Sequence, residues 1–172
     1  MKSAKYIIFP GVYTALLICT QLILSGVSGI ELVTILLLCF CYRYGVRQGL
    51  LVANAFSLLR CLVFGFNVNV LTLYLVYYTI FSITFGLLGK VLKRKYNIKI
   101  HALIIVVAVT LTFTFTMLDN VITPLIFGFT WKAAKAYFVA SFYTLVPHLV
   151  CTFMTTLLLF APLIKVMKPL KN

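Results

Sequence analysis

Apolar residues run along this chain in blocks long enough to cross a bilayer, separated by short polar stretches. A helix needs about 20 residues, mostly apolar, to span the hydrocarbon core. Six segments meet that requirement, some only by including a few polar residues: about 6–25, 30–45, 46–65, 70–91, 101–123 and 137–164. The second is short and runs almost directly into the third through YRYGVRQG, where Gly45 and Gly49 mark a reversal. NVN, Asn67 to Asn69, separates the third from the fourth, KVLKRKYNIK the fourth from the fifth, and TPLIFGFTWKAAK the fifth from the sixth. No internal repeat or low-complexity tract interrupts this order. The pattern predicts an all-α integral membrane protein, a single membrane domain over residues 1–172 built as a six-helix bundle.

Composition agrees. Of the 172 residues 63% are apolar and 10% charged, against about half and a quarter in soluble domains, so lipid is the solvent for most of the chain. Fifteen Lys and Arg stand against two acids, and the bases cluster between apolar runs, which points to orientation and anionic headgroups and away from nucleic acid. Lys2, Lys5, Arg43, Arg47, Lys90, Lys93, Arg94, Lys95, Lys99, Lys165, Lys168 and Lys171 fall on one side; only Lys132 and Lys135 fall on the other. Cytoplasmic loops carry the excess of bases, so both termini are expected in the cytoplasm of a multi-pass plasma-membrane protein. The first apolar run has no clear cleavage site and is followed by further spans, so it reads as a mature helix.

Orientation gives each polar residue a depth. Glu31 opens the second span at the outer surface; Asp119 and Asn120 sit near the outer end of the fifth; Tyr143 and His148 occupy the outer half of the sixth. Tyr74, with Tyr77 and Tyr78, lies in the outer half of the fourth, and Asn67, Asn69 and Trp131 belong to outer loops. NAFSLLRCLVFG, from Asn54 to Gly65, carries an arginine, Arg60, about two turns below the outer end of the third span. A charge at mid-helix costs about 2.5–3.5 kcal/mol on insertion scales, so Arg60 needs a partner, water or a route to the interface. The candidates are an ion pair with Asp119 or Glu31, snorkelling to the headgroups, or the rim of an outward-facing pocket. Glu31, Asn54, Arg60, Asn67, Asn69, Tyr74, Asp119, Asn120, Tyr143 and His148 form the candidate ligand-binding set in the outer half.

Gly11, Ala15 and Cys19 recur every four residues on the first span, beside Pro10, and small residues at that spacing let another helix approach closely in lipid. The stripe fits either packing within the bundle or docking of a partner membrane protein. Five cysteines lie in apolar segments without metal or redox spacing, and no GxxxxGK[ST], HExxH or GxSxG is present. No catalytic residue, metal ligand or bound cofactor is expected, and ATP hydrolysis must come from elsewhere.

Three phrases, YTALLICTQLILSGVSGIELVT, YRYGVRQGLLVANAFSLLRCLVFG and LYLVYYTIFSITFGLLGKVLKRK, together with six short spans and a small-residue first helix, resemble the substrate-binding S components of energy-coupling factor importers. The resemblance covers essentially the whole chain. It implies a vitamin binder, not an enzyme, that joins a membrane coupling (T) subunit and two cytoplasmic ATPase subunits, which use ATP and Mg. The family's coupling motif is a pair of alanines four apart on the first helix; Gly11 and Ala15 match it with the first alanine replaced. Nickel and cobalt members begin with a histidine after the first methionine, and Lys2 stands there instead. General likeness to corrinoid-specific members places cobalamin or a precursor first among ligands, with pyridoxine, a thiamine precursor, pantothenate and a queuosine precursor following. The alternatives are a self-contained small transporter or exporter, which would place a carboxylate near the midplane, and an intramembrane enzyme using Cys61 or His148.

Overall fold

The structure is a computed structural model that describes residues 2–26 and 32–167. Six helices follow one another: α1 Lys2–Leu24, α2 Val33–Tyr44, α3 Val46–Phe64, α4 Val68–Val91, α5 Ile98–Phe127 and α6 Trp131–Val166. α1, α3, α4, α5 and α6 are long and apolar enough to cross a membrane. The chain is an all-α, multi-span integral membrane bundle.

The second predicted span is corrected to a half-length helix. α2 has 12 residues and rises about 18 Å, too little for a hydrocarbon core of about 30 Å. Apolarity on every side marks a helix enclosed by others, and residues Leu37 to Tyr42 are all completely buried. Phe40 stacks at 4.4 Å on Tyr13 and 5.5 Å on Phe9 of α1, Tyr42 meets Phe160 of α6 edge-on at 5.5 Å, and Cys41 lies 3.5 Å from Ser82 of α4. α2 therefore packs against α1, α3, α4 and α6 at once.

A single residue joins α2 to α3. Gly45 has φ 89° and ψ 178°, a conformation that glycine alone adopts without strain, while its N–H bonds the Cys41 carbonyl and its carbonyl receives the Gly49 N–H. Against this corner α4 presents Gly89 and Gly86. A Cβ on Gly89 would overlap the Tyr42 carbonyl oxygen, and one on Gly86 would lie 2.6 Å from the Val46 nitrogen. Lipid offers no hydrophobic drive between helices, so this backbone-to-backbone approach is a main source of cohesion.

The basic clusters meet at the same end as this corner. Arg43 donates to the Met167 carbonyl at 2.9 Å and the Arg94 carbonyl at 3.3 Å, and the Tyr42 hydroxyl donates to the Lys95 carbonyl at 2.7 Å. Lys93 and Arg94 take left-handed backbone angles, φ 52° and 54°, and the Arg94 N–H closes α4 on the Gly89 carbonyl. This is the end that the positive-inside rule assigns to the cytoplasm.

At the opposite end α5 and α6 extend beyond the predicted 101–123 and 137–164, reaching 30 and 36 residues. Pro124 is accommodated in α5, and the connection narrows to Gly128, in the left-handed region, through Thr130, whose hydroxyl caps α6 at Ala133. Two of the three residues expected in outer loops belong to helices instead, since Trp131 begins α6 and Asn69 sits in the first turn of α4; Asn67 stays in the connection, its side-chain Oδ1 capping that turn.

Candidate functional site

Four helices converge in the outer half on a narrow cleft. α2 contributes Thr34, α4 Tyr74, Tyr77 and Tyr78, α5 Thr112 and Phe115, and α6 His148. The periodicity explains the set: Tyr74, Tyr77 and Tyr78 share one face of α4, as Thr112, Phe115 and Thr116 do on α5. The rings close on one another, with Tyr77 and Phe115 at 4.8 Å and Tyr74 and Tyr78 at 5.2 Å. Counted with its open mouth the cleft holds about 270 Å³ of empty space, but the room between its walls is on the scale of a single water molecule. Thr112 and Thr152 lie 3.1 Å apart, tying α5 to α6 beside it.

About one helical turn outward lies a polar cap. Asn69 of α4 donates to the Thr123 hydroxyl at 2.7 Å, and Thr123 donates to one oxygen of Asp119 at 2.6 Å. Tyr137 of α6 donates to the other oxygen at 2.6 Å, and Asn120 donates to Ser141 at 2.9 Å. Hydroxyl donors thus reach both oxygens of the Asp119 carboxyl group, one from its own helix and one from α6, linking α4, α5 and α6 through one network. The Asn69 and Asn120 side-chain oxygens are buried without a hydrogen-bond partner.

Arg60 approaches the same region from α3. Its guanidinium lies over the Tyr74 ring, 4.3 Å from the centroid, and 5.5 Å from that of Phe64. Its Nε is buried and has no acceptor among the described residues. Of the two acids proposed for it, Asp119 is taken up by Thr123 and Tyr137, and Glu31 lies outside the described residues. Arg60 therefore meets an aromatic face, an arrangement worth about 2 kcal/mol where water is excluded.

The remaining expected residues separate. Tyr74 and His148 line the cleft; Asn69, Asp119 and Asn120 form the cap. Tyr143 is corrected: it is 85% exposed, because the inward line of α6 runs through Ser141, Leu145 and Thr152 and leaves residue 143 on the far side. Asn54 is exposed on α3 and accepts from Thr79 at 3.3 Å, and Asn67 serves as a helix cap. Neither lines the cleft. Thr34, Thr112, Phe115, Thr123, Tyr137 and Ser141 were not anticipated. Two signals pointed to some of them: the four-residue spacing of Thr112 and Thr116, and the one-turn spacing of Thr123 from Asp119.

On the first helix Gly11, Ala15 and Cys19 are all exposed, flanked by exposed Ile8, Val12 and Leu16. A Cβ on Gly11 would touch nothing within 4 Å. The small-residue stripe is thus outside the bundle's own packing. Among the described residues no group of three or more His, Cys, Asp or Glu comes together as a metal site. No protein-family profile, curated protein or solved structure matches this chain.

Proposed function

We propose that this chain is the substrate-capturing S component of an energy-coupling-factor importer, holding a vitamin-class molecule in its outer half. The observation that carries the reading is the stripe of Gly11, Ala15 and Cys19, turned away from the bundle on α1 with space above it. A helix face kept free of side-chain bulk in lipid suits close approach by another transmembrane helix. The occupant under this reading is the membrane coupling subunit, with two ATPase subunits beneath it using ATP and Mg; the chain itself is a transport subunit and carries no catalytic group. The basic end supports the same arrangement, since the ATPases sit on the cytoplasmic side.

The ligand follows from the cleft. Three tyrosines and a phenylalanine make flat walls, and polar groups enter through Thr34, Thr112 and His148. Drug-sized ligands occupy pockets of about 300–1,000 Å³, so a corrinoid would demand far more opening than a molecule with a single ring. A small planar vitamin or precursor, of the pyridoxine or thiamine-precursor kind, takes the first place that the sequence alone gave to cobalamin. A self-contained exporter would keep its carboxylate near the midplane and open to both sides in turn. Asp119, the one acid among the described residues, is committed to the outer cap.

Co-expression of the tagged chain with a coupling subunit and its ATPases tests the reading. The wild type is expected to co-purify with them, and Gly11→Leu or Ala15→Leu to reduce recovery at least about tenfold, the bulk holding the helices apart. Both variants should retain the melting temperature of the isolated chain. Unchanged recovery in both would remove α1 as the docking face.

A further inference from the structure

We propose that Arg60 is an anion-recognising residue of the outer site, and that the ligand is a small planar molecule bearing a carboxylate or phosphate. This rests on the reading of the aromatic cleft as the ligand site. Three observations carry it. Arg60 lies over Tyr74, 4.3 Å from its ring centroid, and Tyr74 is itself a wall of the cleft, so guanidinium and cleft share that ring. Among the described residues the buried Arg60 Nε has no acceptor, and a buried donor without a partner carries the full cost of its desolvation. The described carboxylate that could have neutralised it has both oxygens engaged by hydroxyls. A charge kept in the outer half under these terms, oriented by an aromatic face and left with an unused donor, fits an acceptor that arrives from outside.

Ligand chemistry follows from the two surfaces together. A planar ring that parts Tyr74 from Tyr77, Tyr78 and Phe115 replaces ring-on-ring contacts with equivalent ones, at little net loss. Its acidic substituent, passing the edge of Tyr74, reaches a guanidinium whose planar fork matches carboxylate and phosphate. The outer-leaflet headgroup phosphate offers the same chemistry, so the experiment must separate the two sources.

Purified chain in mild detergent is titrated with pairs of an acidic ring compound and a neutral counterpart: nicotinate and nicotinamide, benzoate and benzamide, pyridoxal phosphate and pyridoxal. Thermal stabilisation is read for wild type, Arg60→Gln and Arg60→Lys, with co-elution of the coupling module as a check that each variant is folded. In at least one pair the acid is expected to act at about tenfold lower concentration than its neutral counterpart, the scale of one charge-assisted hydrogen bond. Arg60→Gln should erase that preference, and Arg60→Lys should keep part of it. Equal action of acid and neutral member, or a preference that survives Arg60→Gln, overturns the role of Arg60 and leaves the cleft as a ring site. No stabilisation by any member overturns the proposal and the small-ring cleft together, while the coupling-module test stands apart. In a parallel arm, native mass spectrometry follows retention of phosphatidylglycerol from vesicles. If Arg60→Gln alters lipid retention alone, Arg60 is a headgroup anchor and the proposal fails.

Discussion

Asp119 keeps a carboxylate in the outer half of the bundle with two hydroxyl donors, and each can be removed by a nearly isosteric change. Tyr137→Phe deletes one donor and is expected to cost about 1 kcal/mol, between the values for charged hydrogen bonds in water and for polar contacts in membranes. Thr123→Val also deletes the acceptor that Asn69 uses, so its cost should approach about 2 kcal/mol. The only tryptophan, Trp131, heads α6 with Lys135 at 5.1 Å from its ring, and its fluorescence offers one readout of melting, with helical circular dichroism as the other. An order of losses with Tyr137→Phe above Thr123→Val would mean that Asn69 finds another partner. At this scale the sequence was legible in depth but not in direction. Asp119, Arg60, Tyr74 and His148 were read at one depth, and they lie near one another, Tyr74 and His148 on the cleft, Arg60 on Tyr74 and Asp119 in the cap. Yet depth alone ranked Tyr143 with them and passed over Tyr137, because turning a helix by the angle between those residues requires knowing which face its neighbours cover.

Helices pack here by glycine where another residue would hold them apart, and position decides what a glycine is worth. Gly89 on α4 lies against the carbonyl of Tyr42, so Gly89→Ala is expected to destabilise the bundle by about 1–3 kcal/mol through overpacking. It should be read as a lower melting temperature with ligand and partners absent. Gly11→Ala adds the same methyl to open space and should leave that temperature unmoved. Equal effects would mean that the α2–α3 corner yields to accommodate the new atom. Element existence was readable because lipid demands long apolar runs, and five of six were recovered with ends shifted by a few residues. α2 was misjudged as a span since apolarity is the same signal whether a segment faces lipid or is enclosed by protein. Trp131 was read as loop within the separator TPLIFGFTWKAAK; Pro124 is absorbed within α5, which ends at Gly128.

The whole molecule is polarised, with bases gathered at one end and the aromatic cleft and its carboxylate cap near the other. Replacing Lys90, Lys93, Arg94, Lys95 and Lys99 by glutamine is expected to produce a mixed orientation, seen as a fraction of chains whose C-terminal tag is protected from cytoplasmic protease. A uniform orientation would show that Arg43, Arg47 and the terminal lysines suffice. Bundle class and polarity were legible because both are set by bulk solvation and charge, which composition records. The cleft was not, since it arises from where four helices happen to cross. The enclosure of α2 also bears on biogenesis. A segment of 12 residues cannot cross into the bilayer from the translocon as a stable span, and its aromatic partner Phe160 and the carbonyl that receives Arg43 belong to α6 and its C-cap. α2 is thus completed by a helix made four elements later, and the centre of the bundle stays unfinished in the nascent chain until α6 has been synthesised.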